Sequence, residues 1–371
     1  MFKLFSLGVA TNRDEWVYDL DKDTLGRKIK HFIRFYESER KRWLEDDRPK
    51  DITNWVRREI KWTSELEERL RKQKKLNFDA DRIRTASYRP FCEVCTYYDD
   101  AITHRPYQQD HIFPIAGKHD NICIVFTVPS SQKPWMVSAV KHLPDLHYVG
   151  AGAGTVCLPR FQYVDGRKID NITNWSLNEF RKFYADQRSD EINKDVIFNY
   201  IYAVLHNPSY RSKYAENLKR EFPRIPFYKN FWRWVRWGEE LMNLHLNYQT
   251  IDPWPLKRID VEDTASRRAG LPPKAILGAD KLDGAIILNG ETKLVGVPAA
   301  AWEYKLGIRS ALEWVLDQYS ESAPRDQTIR EKFNIYKFSD YKKRVIDLVG
   351  RVTRVSVETQ RIVGEMEEAS N

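Results

Sequence analysis

Residues 195–205 read DVIFNYIYAVL, an apolar segment that ends just before the pair Asn207-Pro208. The length and apolar character of the segment predict a helix. Proline marks its end, because proline cannot donate a backbone hydrogen bond inside a helix. A second helix is predicted to begin directly after this pair and to stop before Pro223. Residues 161–250 are therefore predicted to form a helical region whose apolar side faces the protein core.

The chain before this region is predicted to combine helices and strands. The run NICIVFTV, residues 121–128, is rich in β-branched side chains and predicts a strand. A helix is predicted from Asn54 to Lys75. Another is predicted where apolar residues recur at helical spacing, at Leu25, Ile29, Phe32, Ile33 and Tyr36. Residues 1–160 are therefore predicted to be an α+β region with a mixed sheet.

The chain after the helical region, residues 251–371, is predicted to hold a β-hairpin and two terminal helices. Residues 285–288 and 292–295 have the pattern of short strands. They flank Asn289-Gly290, a pair that favours the positive φ angles of a tight turn. The terminal helices are predicted over residues 310–319 and 339–366. The predicted fold class is α+β, in three parts: the mixed sheet region, the helical region, and the hairpin with the carboxy-terminal helices.

Composition limits the classes of function. The 371 residues carry a formal charge of +8, and no run approaches the roughly 20 apolar residues of a membrane span. The amino-terminal segment MFKLFSLGVATNRD lacks the basic start and the cleavage site of a signal peptide. Four cysteines without framework spacing indicate reduced thiols. We therefore expect a cytoplasmic protein with no membrane partner.

The positive charge is concentrated in two segments. Residues 27–75 hold 17 Lys and Arg against 10 Asp and Glu, and residues 211–236 hold 8 against 2. Basic clusters interleaved with Trp and Tyr can neutralise phosphates while the aromatic side chains pack or stack. A solvated helix face is the alternative interpretation of each cluster. The charge distribution therefore favours a nucleic-acid partner.

A free-standing, metal-dependent DNA endonuclease is the main alternative function. Cys92 and Cys95, followed by Asp110-His111, have the look of a zinc-braced HNH nuclease. A structural zinc needs four N or S ligands, however, and Cys123 and Cys157 make no second Cys-x-x-Cys pair. The predicted ligand set is therefore incomplete, and we expect no metal site.

A second motif suggests another class of nuclease. Asp283 with Glu303-x-Lys305 has the residue types of the acidic pair and lysine of a metal-dependent active site. Glu303 follows Pro298 in an Ala-rich approach to a helix, whereas such a site uses a strand. This motif is therefore also interpreted as structural, and no catalytic residue is predicted.

A series of motifs runs through the chain: Leu7-Gly-Val9 with Thr11-Asn-Arg-Asp14, Tyr88-Arg-Pro-Phe91, Ile112-Phe-Pro114, Leu143-Pro-Asp-Leu-His147, Cys157-Leu-Pro159, Tyr200–His206 and Trp302–Tyr319. In this order, and over nearly the whole chain, the series resembles the carboxy-terminal specificity domain of Type ISP restriction–modification enzymes. The match is specific because the motifs occur in this order and are spread over nearly the whole chain, and not because any single motif is decisive.

The resemblance implies a target recognition domain. In that family one polypeptide carries a nuclease, a helicase-like ATP-driven translocase, an adenine-N6 methyltransferase and, last, the module that selects the DNA sequence. The present sequence shows neither a Gly-x-x-x-x-Gly-Lys-Ser/Thr phosphate loop nor a methyltransferase catalytic loop. It is therefore expected to be non-catalytic, with S-adenosylmethionine, ATP and Mg²⁺ bound only by the other domains.

The expected partners are double-stranded DNA and the methyltransferase and helicase-like domains of the parent enzyme. Basic side chains should contact phosphates, and polar side chains should read base edges in the grooves. The candidate phosphate contacts are Arg13, Lys41, Arg42, Arg57, Arg58, Arg233 and Arg236. Arg309 is interpreted as a structural residue. A module whose basic helices dock an acidic protein is a third alternative.

Overall fold

The computed structural model describes residues 1–115, 120–262 and 268–370. The strands are β1 (Ser6–Leu7), β2 (Tyr18–Asp19), β3 (Ile83–Arg89), β4 (Cys92–Tyr97), β5 (Cys123–Thr127), β6 (Val137–Val140), β7 (Leu143–Pro144), β8 (Thr155–Pro159), β9 (Phe161–Val164), β10 (Arg167–Asp170), β11 (Lys257–Asp260), β12 (Ala275–Asp280), β13 (Ala285–Asn289), β14 (Thr292–Val295), β15 (Lys305–Leu306) and β16 (Arg309–Ser310).

The helices are α1 (Asp14–Val17), α2 (Lys22–Glu45), α3 (Ile52–Trp55), α4 (Ser64–Arg71), α5 (Asn174–Phe183), α6 (Lys194–His206), α7 (Pro208–Lys213), α8 (Ala215–Leu218), α9 (Phe231–Leu246), α10 (Ala299–Glu303), α11 (Ala311–Gln318), α12 (Gln327–Lys332) and α13 (Phe338–Ser370). The strands form several small sheets, among them β1-β8-β5-β6, β2-β4-β3-β7 and β11-β14-β13-β12. The β3–β7 pair is parallel and β3–β4 is antiparallel, so the sheet that contains them is mixed. The predicted α+β class is confirmed.

The sheet β1-β8-β5-β6 separates two hydrophobic clusters. Successive side chains of a strand point to opposite faces. In β5, Cys123 and Val125 belong to one cluster, whereas Ile124 and Phe126 belong to the other. All β5 residues are buried. The run at 121–128 is therefore a strand covered on both faces, which is why it is almost continuously apolar.

The first cluster draws side chains from residues 9–157 and also from residues 248–355. The second is built mainly from the helical region, including α6 and α9. Helix α13 contributes Val345 to the first cluster and Ile362 to the second. No helix of the described ranges combines the length and the apolar character needed to cross a bilayer. The division into residues 1–160, 161–250 and 251–371 stays a prediction.

The helix predicted at residues 195–205 is confirmed as α6. Asn193 caps its first turn, because its Oδ1 accepts the backbone N–H groups of Asp195 and Val196 at 2.9 and 3.1 Å. Pro208 ends α6 and opens α7, where proline is tolerated. The helix predicted after it is interrupted at Tyr214 and continues as the short α8.

The helix predicted over residues 54–75 is wrong in extent. Helix α3 ends where Val56 turns extended, at φ −67° and ψ 142°. The Trp62 indole then donates a hydrogen bond to the Arg57 carbonyl at 2.8 Å, and Thr63 caps the separate helix α4. The buried Trp62 belongs to the first hydrophobic cluster. Tertiary packing therefore overrides the local helical pattern here.

The hairpin of β13 and β14 is confirmed, but its turn differs from the prediction. Neither Asn289 nor Gly290 has a positive φ angle. The Asn289 Oδ1 instead accepts the backbone N–H groups of Glu291 and Thr292 at 3.1 and 2.8 Å. The Gly290 N–H donates to the Lys274 carbonyl at 3.2 Å. The asparagine side chain thus closes the loop without a left-handed residue.

A buried polar cluster joins α6, α9 and α13. His245 contacts the Tyr202 hydroxyl through Nδ1 and lies 2.9 Å from the Thr359 hydroxyl through Nε2. Burial, with a smaller effect of the Arg211 charge, lowers the pKa of His245 to about 3. The same two causes lower the pKa of the neighbouring His206 well below its ordinary value. Both imidazoles are therefore neutral in the folded protein at pH 7.

We expect acid to destabilise the fold through this cluster. Unfolded histidine binds a proton as pH falls through about 6.5, whereas buried His245 does not until about pH 3. His245 alone should therefore lower the free energy of unfolding by about 2 kcal/mol at pH 5 relative to pH 8. Urea unfolding of the protein and of His245→Gln at both pH values tests this. An equal pH dependence in the two proteins would contradict the prediction.

Candidate nucleic-acid interface

Cys92 and Cys95 are sheet residues and not a ligand pair. They lie three positions apart on β4, so their side chains point to opposite faces of the strand and cannot share one metal ion. Cys92 is buried, and burial raises the pKa of its thiol to about 12. It therefore packs as a small apolar residue.

Asp110 and His111 also have structural contacts. The Asp110 carboxylate accepts a hydrogen bond from the Tyr98 hydroxyl at 2.9 Å. The His111 Nδ1 lies 3.2 Å from the Tyr163 carbonyl. Asn121, a residue that an HNH enzyme could use to hold a metal, donates to the Phe161 carbonyl at 2.8 Å. The described residues of this stretch present no set of converging ligands.

The second nuclease motif is equally dispersed. Glu303 ends α10 and forms an exposed ion pair with Lys305 at 3.7 Å. Asp283 lies in the turn between β12 and β13. Among the residues that the structure describes, no group of three or more His, Cys, Asp and Glu side chains could hold a metal ion. The geometry does not favour the endonuclease alternative.

The first basic cluster is organised around a buried carboxylate, Glu39 of α2. Glu39 is 0% exposed and accepts hydrogen bonds from Arg42 Nη2 at 2.7 Å and from Arg57 Nε at 2.7 Å. Burial acts to raise the pKa of Glu39, but the hydrogen bonds from Arg42 and Arg57 hold the pKa below its ordinary value. Arg42 also lies over the Trp55 ring, at 3.5 Å. These two arginines therefore stabilise the fold, although both remain partly exposed.

Lys41 and Arg58 lie close by and have free charges. Lys41 is exposed and makes no ion pair with any described residue. Arg58 is exposed, and its guanidinium donates to the Thr53 carbonyl rather than to a carboxylate. Of the candidates in this cluster, these two are the best placed to meet a phosphate.

The second basic cluster presents Arg233 and Arg236 on the exposed side of α9. Arg233 lies over the Trp237 ring at 4.6 Å, and Arg236 is 3.9 Å from Glu240. The aromatic side chains of this cluster differ in exposure: Trp234 is only 3% exposed, whereas Phe222 and Phe227 are exposed. Trp234 therefore packs α9 against the core and offers no surface on which a base could stack.

Arg13 is placed differently from the other six candidates. It is 4% exposed, and its Nη2 donates to the Thr63 hydroxyl at 2.8 Å. Its Nε and Nη1 have no hydrogen-bond partner among the described residues. Its guanidinium also lies 5.2 Å from the centre of the Phe32 ring. Arg13 is therefore a buried cation with unused donors, which the sequence pattern does not indicate.

Arg13 lines a cleft that we call the Arg13 cleft, with a volume of about 500 Å³. Its lining comes from four separate parts of the chain: residues 10–16, Lys61, Asp145 with His147, and Arg325 with Asp326. Lys61 and Arg325 are exposed, and neither forms an ion pair within the part of the chain that the structure describes. Sequence reasoning missed both, because nothing local distinguishes them from other surface cations.

Comparisons with known proteins agree on one family. The model described as "Type ISP C-terminal specificity domain" matches residues 1–348. No curated protein matches the chain. The chain is similar to the protein of a cryoEM structure of a DrdV–DNA complex, with 45% identity and a TM-score of 0.91 over 98% of this chain and 36% of that one.

Two further solved structures are similar. One is a nuclease-deletion mutant of the Type ISP restriction-modification enzyme LlaGI in complex with a DNA substrate mimic, with 26% identity and a TM-score of 0.82 over 99% of this chain and 33% of that one. The other is the ATP-dependent Type ISP enzyme LlaBIII bound to DNA, with 23% identity and a TM-score of 0.78 over 99% of this chain and 23% of that one. The present chain thus spans little more than a third, or less, of each of these chains.

Proposed function

Because the chain belongs to the Type ISP C-terminal specificity domain family, we propose that it selects the target sequence in double-stranded DNA for a larger restriction–modification enzyme. The observation that carries this proposal is the 45% identity, over 98% of the chain, to part of a protein solved in complex with DNA. A nuclease, a helicase-like translocase and an adenine-N6 methyltransferase are, in this proposal, the remaining domains of the parent enzyme.

The chain itself is proposed to be non-catalytic. Its nuclease-like motifs are separated in the structure and are occupied by structural contacts. S-adenosylmethionine, ATP and Mg²⁺ are accordingly assigned to the other domains, and no step is assigned to them here. A cytoplasmic location stays a prediction.

The phosphates of the DNA are proposed to contact exposed basic side chains. Lys41 and Arg58 combine exposure with the absence of a carboxylate partner among described residues. Arg233 and Arg236 on α9 are further candidates, and Arg42 and Arg57 can contribute their exposed edges while remaining bound to Glu39. Contacts of this kind position a protein on the duplex without reading its sequence.

Selection from a random duplex library tests the proposed function. The purified chain should enrich one sequence over several rounds, and it should bind that duplex more tightly than a scrambled one. Enrichment of no sequence would contradict target recognition by this chain. Cleavage of the library in Mg²⁺, abolished by His111→Ala or Glu303→Ala, would instead favour the endonuclease alternative.

The double variant Lys41→Gln with Arg58→Gln should weaken binding to every duplex. Each phosphate contact contributes about 0.9 to the slope of log affinity against log salt concentration, so the slope should flatten by about 1.8. The preference for the selected sequence should not change, because phosphates carry no base identity. Fluorescence anisotropy over a range of salt concentrations measures both quantities.

Lys305→Gln is the matched control for this measurement. Lys305 is also exposed, but it is paired with Glu303 and lies outside both basic clusters. Its replacement should leave the salt slope unchanged. Equal slopes for the double variant and the unaltered protein would show that Lys41 and Arg58 are only solvated surface.

A further inference from the structure

The Arg13 cleft contains a buried positive charge that makes no ion pair with any described residue. Burial lowers the pKa of Arg13 to about 10, and the charge of Glu65 offsets this effect only in part. The Glu65 carboxylate is itself bound to His104 at 2.9 Å. A buried guanidinium with unpaired N–H groups is costly, because those groups have lost water without gaining acceptors. An acceptor supplied by a ligand would remove that cost.

The carboxylates that line the cleft are already engaged. Glu15 accepts the backbone N–H groups of Arg325 and Asp326, each at 2.8 Å. Asp326 accepts the Trp16 indole N–H at 2.8 Å and caps α12 through the N–H of Ile329. These bonds fix the walls of the cleft and occupy the carboxylate oxygens of both side chains, which keep their negative charge.

The other two carboxylates are held in a second network. Asp145 accepts hydrogen bonds from Arg89 Nη1 at 2.7 Å and from the Tyr18 hydroxyl at 3.1 Å. Asp14 accepts the Tyr88 hydroxyl at 3.1 Å and lies 3.8 Å from Arg89. Both carboxylates therefore face a cation or hydroxyl donors of their own. Arg13, Lys61 and Arg325 are the cations of the lining that form no ion pair with any described residue.

We propose that the Arg13 cleft binds one phosphate group of the DNA backbone, with Arg13 as its principal donor and with Lys61 and Arg325 supplying further positive charge. This inference rests on the proposed function. Arginine and phosphate match well, because the planar guanidinium can donate two parallel hydrogen bonds to one oxyanion. Arg13 Nε and Nη1 are shielded from water and have no partner among the described residues, and Nη2 donates to Thr63, so binding a phosphate requires the guanidinium to turn toward the cleft.

A phosphate in this cleft is fixed more firmly than one that meets an exposed lysine. The cleft is built from residues 10–16, Lys61, the Asp145–His147 loop and the segment before α12. A contact held by four parts of the fold sets the register of the protein on the duplex, which base readout by other side chains requires.

Phosphate neutralisation tests the proposal on the selected target duplex. A series of duplexes carries one uncharged methylphosphonate each, and affinity is measured for the protein and for Arg13→Gln. At one or two positions the methylphosphonate should weaken binding by the unaltered protein by about tenfold. At those positions the same change should weaken binding by Arg13→Gln by less than about twofold, because the interaction is already lost.

Arg84→Gln is the matched control. Arg84 is a partly buried arginine whose pKa is also lowered by burial, and its Nη1 donates to the Phe113 carbonyl, away from the cleft. At each position, the methylphosphonate should weaken binding by Arg84→Gln as much as it weakens binding by the unaltered protein. Arg13→Lys, which keeps the charge, should recover part of the affinity lost in Arg13→Gln.

Substitutions of exposed residues test the proposal without depending on whether Arg13→Gln folds. Lys61→Gln with Arg325→Gln removes two surface charges, and it should reduce the methylphosphonate effect at the same positions as Arg13→Gln. Equal methylphosphonate profiles for all proteins would overturn the inference while leaving target recognition intact. Unchanged DNA affinity of Arg13→Gln, with loss of its association with the methyltransferase domain, would assign the cleft to a carboxylate of that domain and would also overturn the inference. Failure to select any target would contradict the proposed function, and this inference with it.

Discussion

Gly238→Ala should lower the free energy of unfolding by at least about 3 kcal/mol. Gly238 lies on α9 where that helix meets α6, and an alanine Cβ there would be 1.8 Å from the Asn199 carbonyl oxygen. Neither helix can move away easily, because both are buried in the second hydrophobic cluster. Urea unfolding followed by circular dichroism measures the loss, and a variant that does not fold at all is the extreme of the same result.

Gly364→Ala is the matched control for this substitution. Gly364 lies on α13, and a Cβ at its position would meet no atom within 4 Å. Alanine favours a helix more than glycine by up to about 1 kcal/mol, so this variant should be as stable as the unaltered protein or more stable. A loss of stability similar to that of Gly238→Ala would show that the close approach of α6 and α9 is not the cause.

Glu39→Gln should lower the free energy of unfolding by about 3 kcal/mol. The neutral amide cannot compensate Arg42 and Arg57, which converge on the buried carboxylate at 2.7 Å and 2.6 Å. The backbone N–H of Arg57 also loses a charged acceptor at 2.9 Å. The two arginines are partly exposed, so water recovers some of the loss. The expected effect is therefore at the lower end for a broken buried pair.

Glu68→Gln is the comparison that isolates burial. Glu68 on α4 is paired with Arg71 at 3.0 Å and with Lys72 at 3.1 Å, but all three side chains are exposed. Surface pairs of this kind contribute little to stability, because water screens the charges, so this substitution should change the free energy of unfolding much less than Glu39→Gln does. Equal changes in stability for the two variants would mean that Glu39 does not hold the first basic cluster together.

The sequence predicted most reliably those elements whose pattern depends on near neighbours. Helix α6 was predicted because its apolar residues and its terminating proline lie within a few positions of one another. Strand β5 was predicted because burial on both faces leaves a short, continuous apolar run. The resemblance to Type ISP specificity domains was likewise readable from the order of motifs, and the match of residues 1–348 confirms it.

The failures lie where distant contacts compete with local preference. The helical pattern at residues 54–75 gave way to two short helices, since burying Trp62 favours an extended segment before Thr63. The Asn289-Gly290 pair was read as a tight turn from its backbone preference. The asparagine side chain instead bonds to the two following N–H groups, and this gain replaces the left-handed conformation.

For the charged residues, too, the sequence determines one part of the answer and the tertiary structure decides the other. The sequence by itself determined that residues 27–75 and 211–236 are basic, since charge is a property of composition. Which of those charges are free was decided only by the tertiary structure: Glu39 engages Arg42 and Arg57, whereas Lys41 keeps no carboxylate partner among the described residues. Arg13 was an ordinary candidate by sequence. Lys61 and Arg325 lie some 50 and 310 positions away from Arg13 in the sequence, and only the folded chain brings the three residues to one cleft. Residues so far apart leave no local pattern in the sequence.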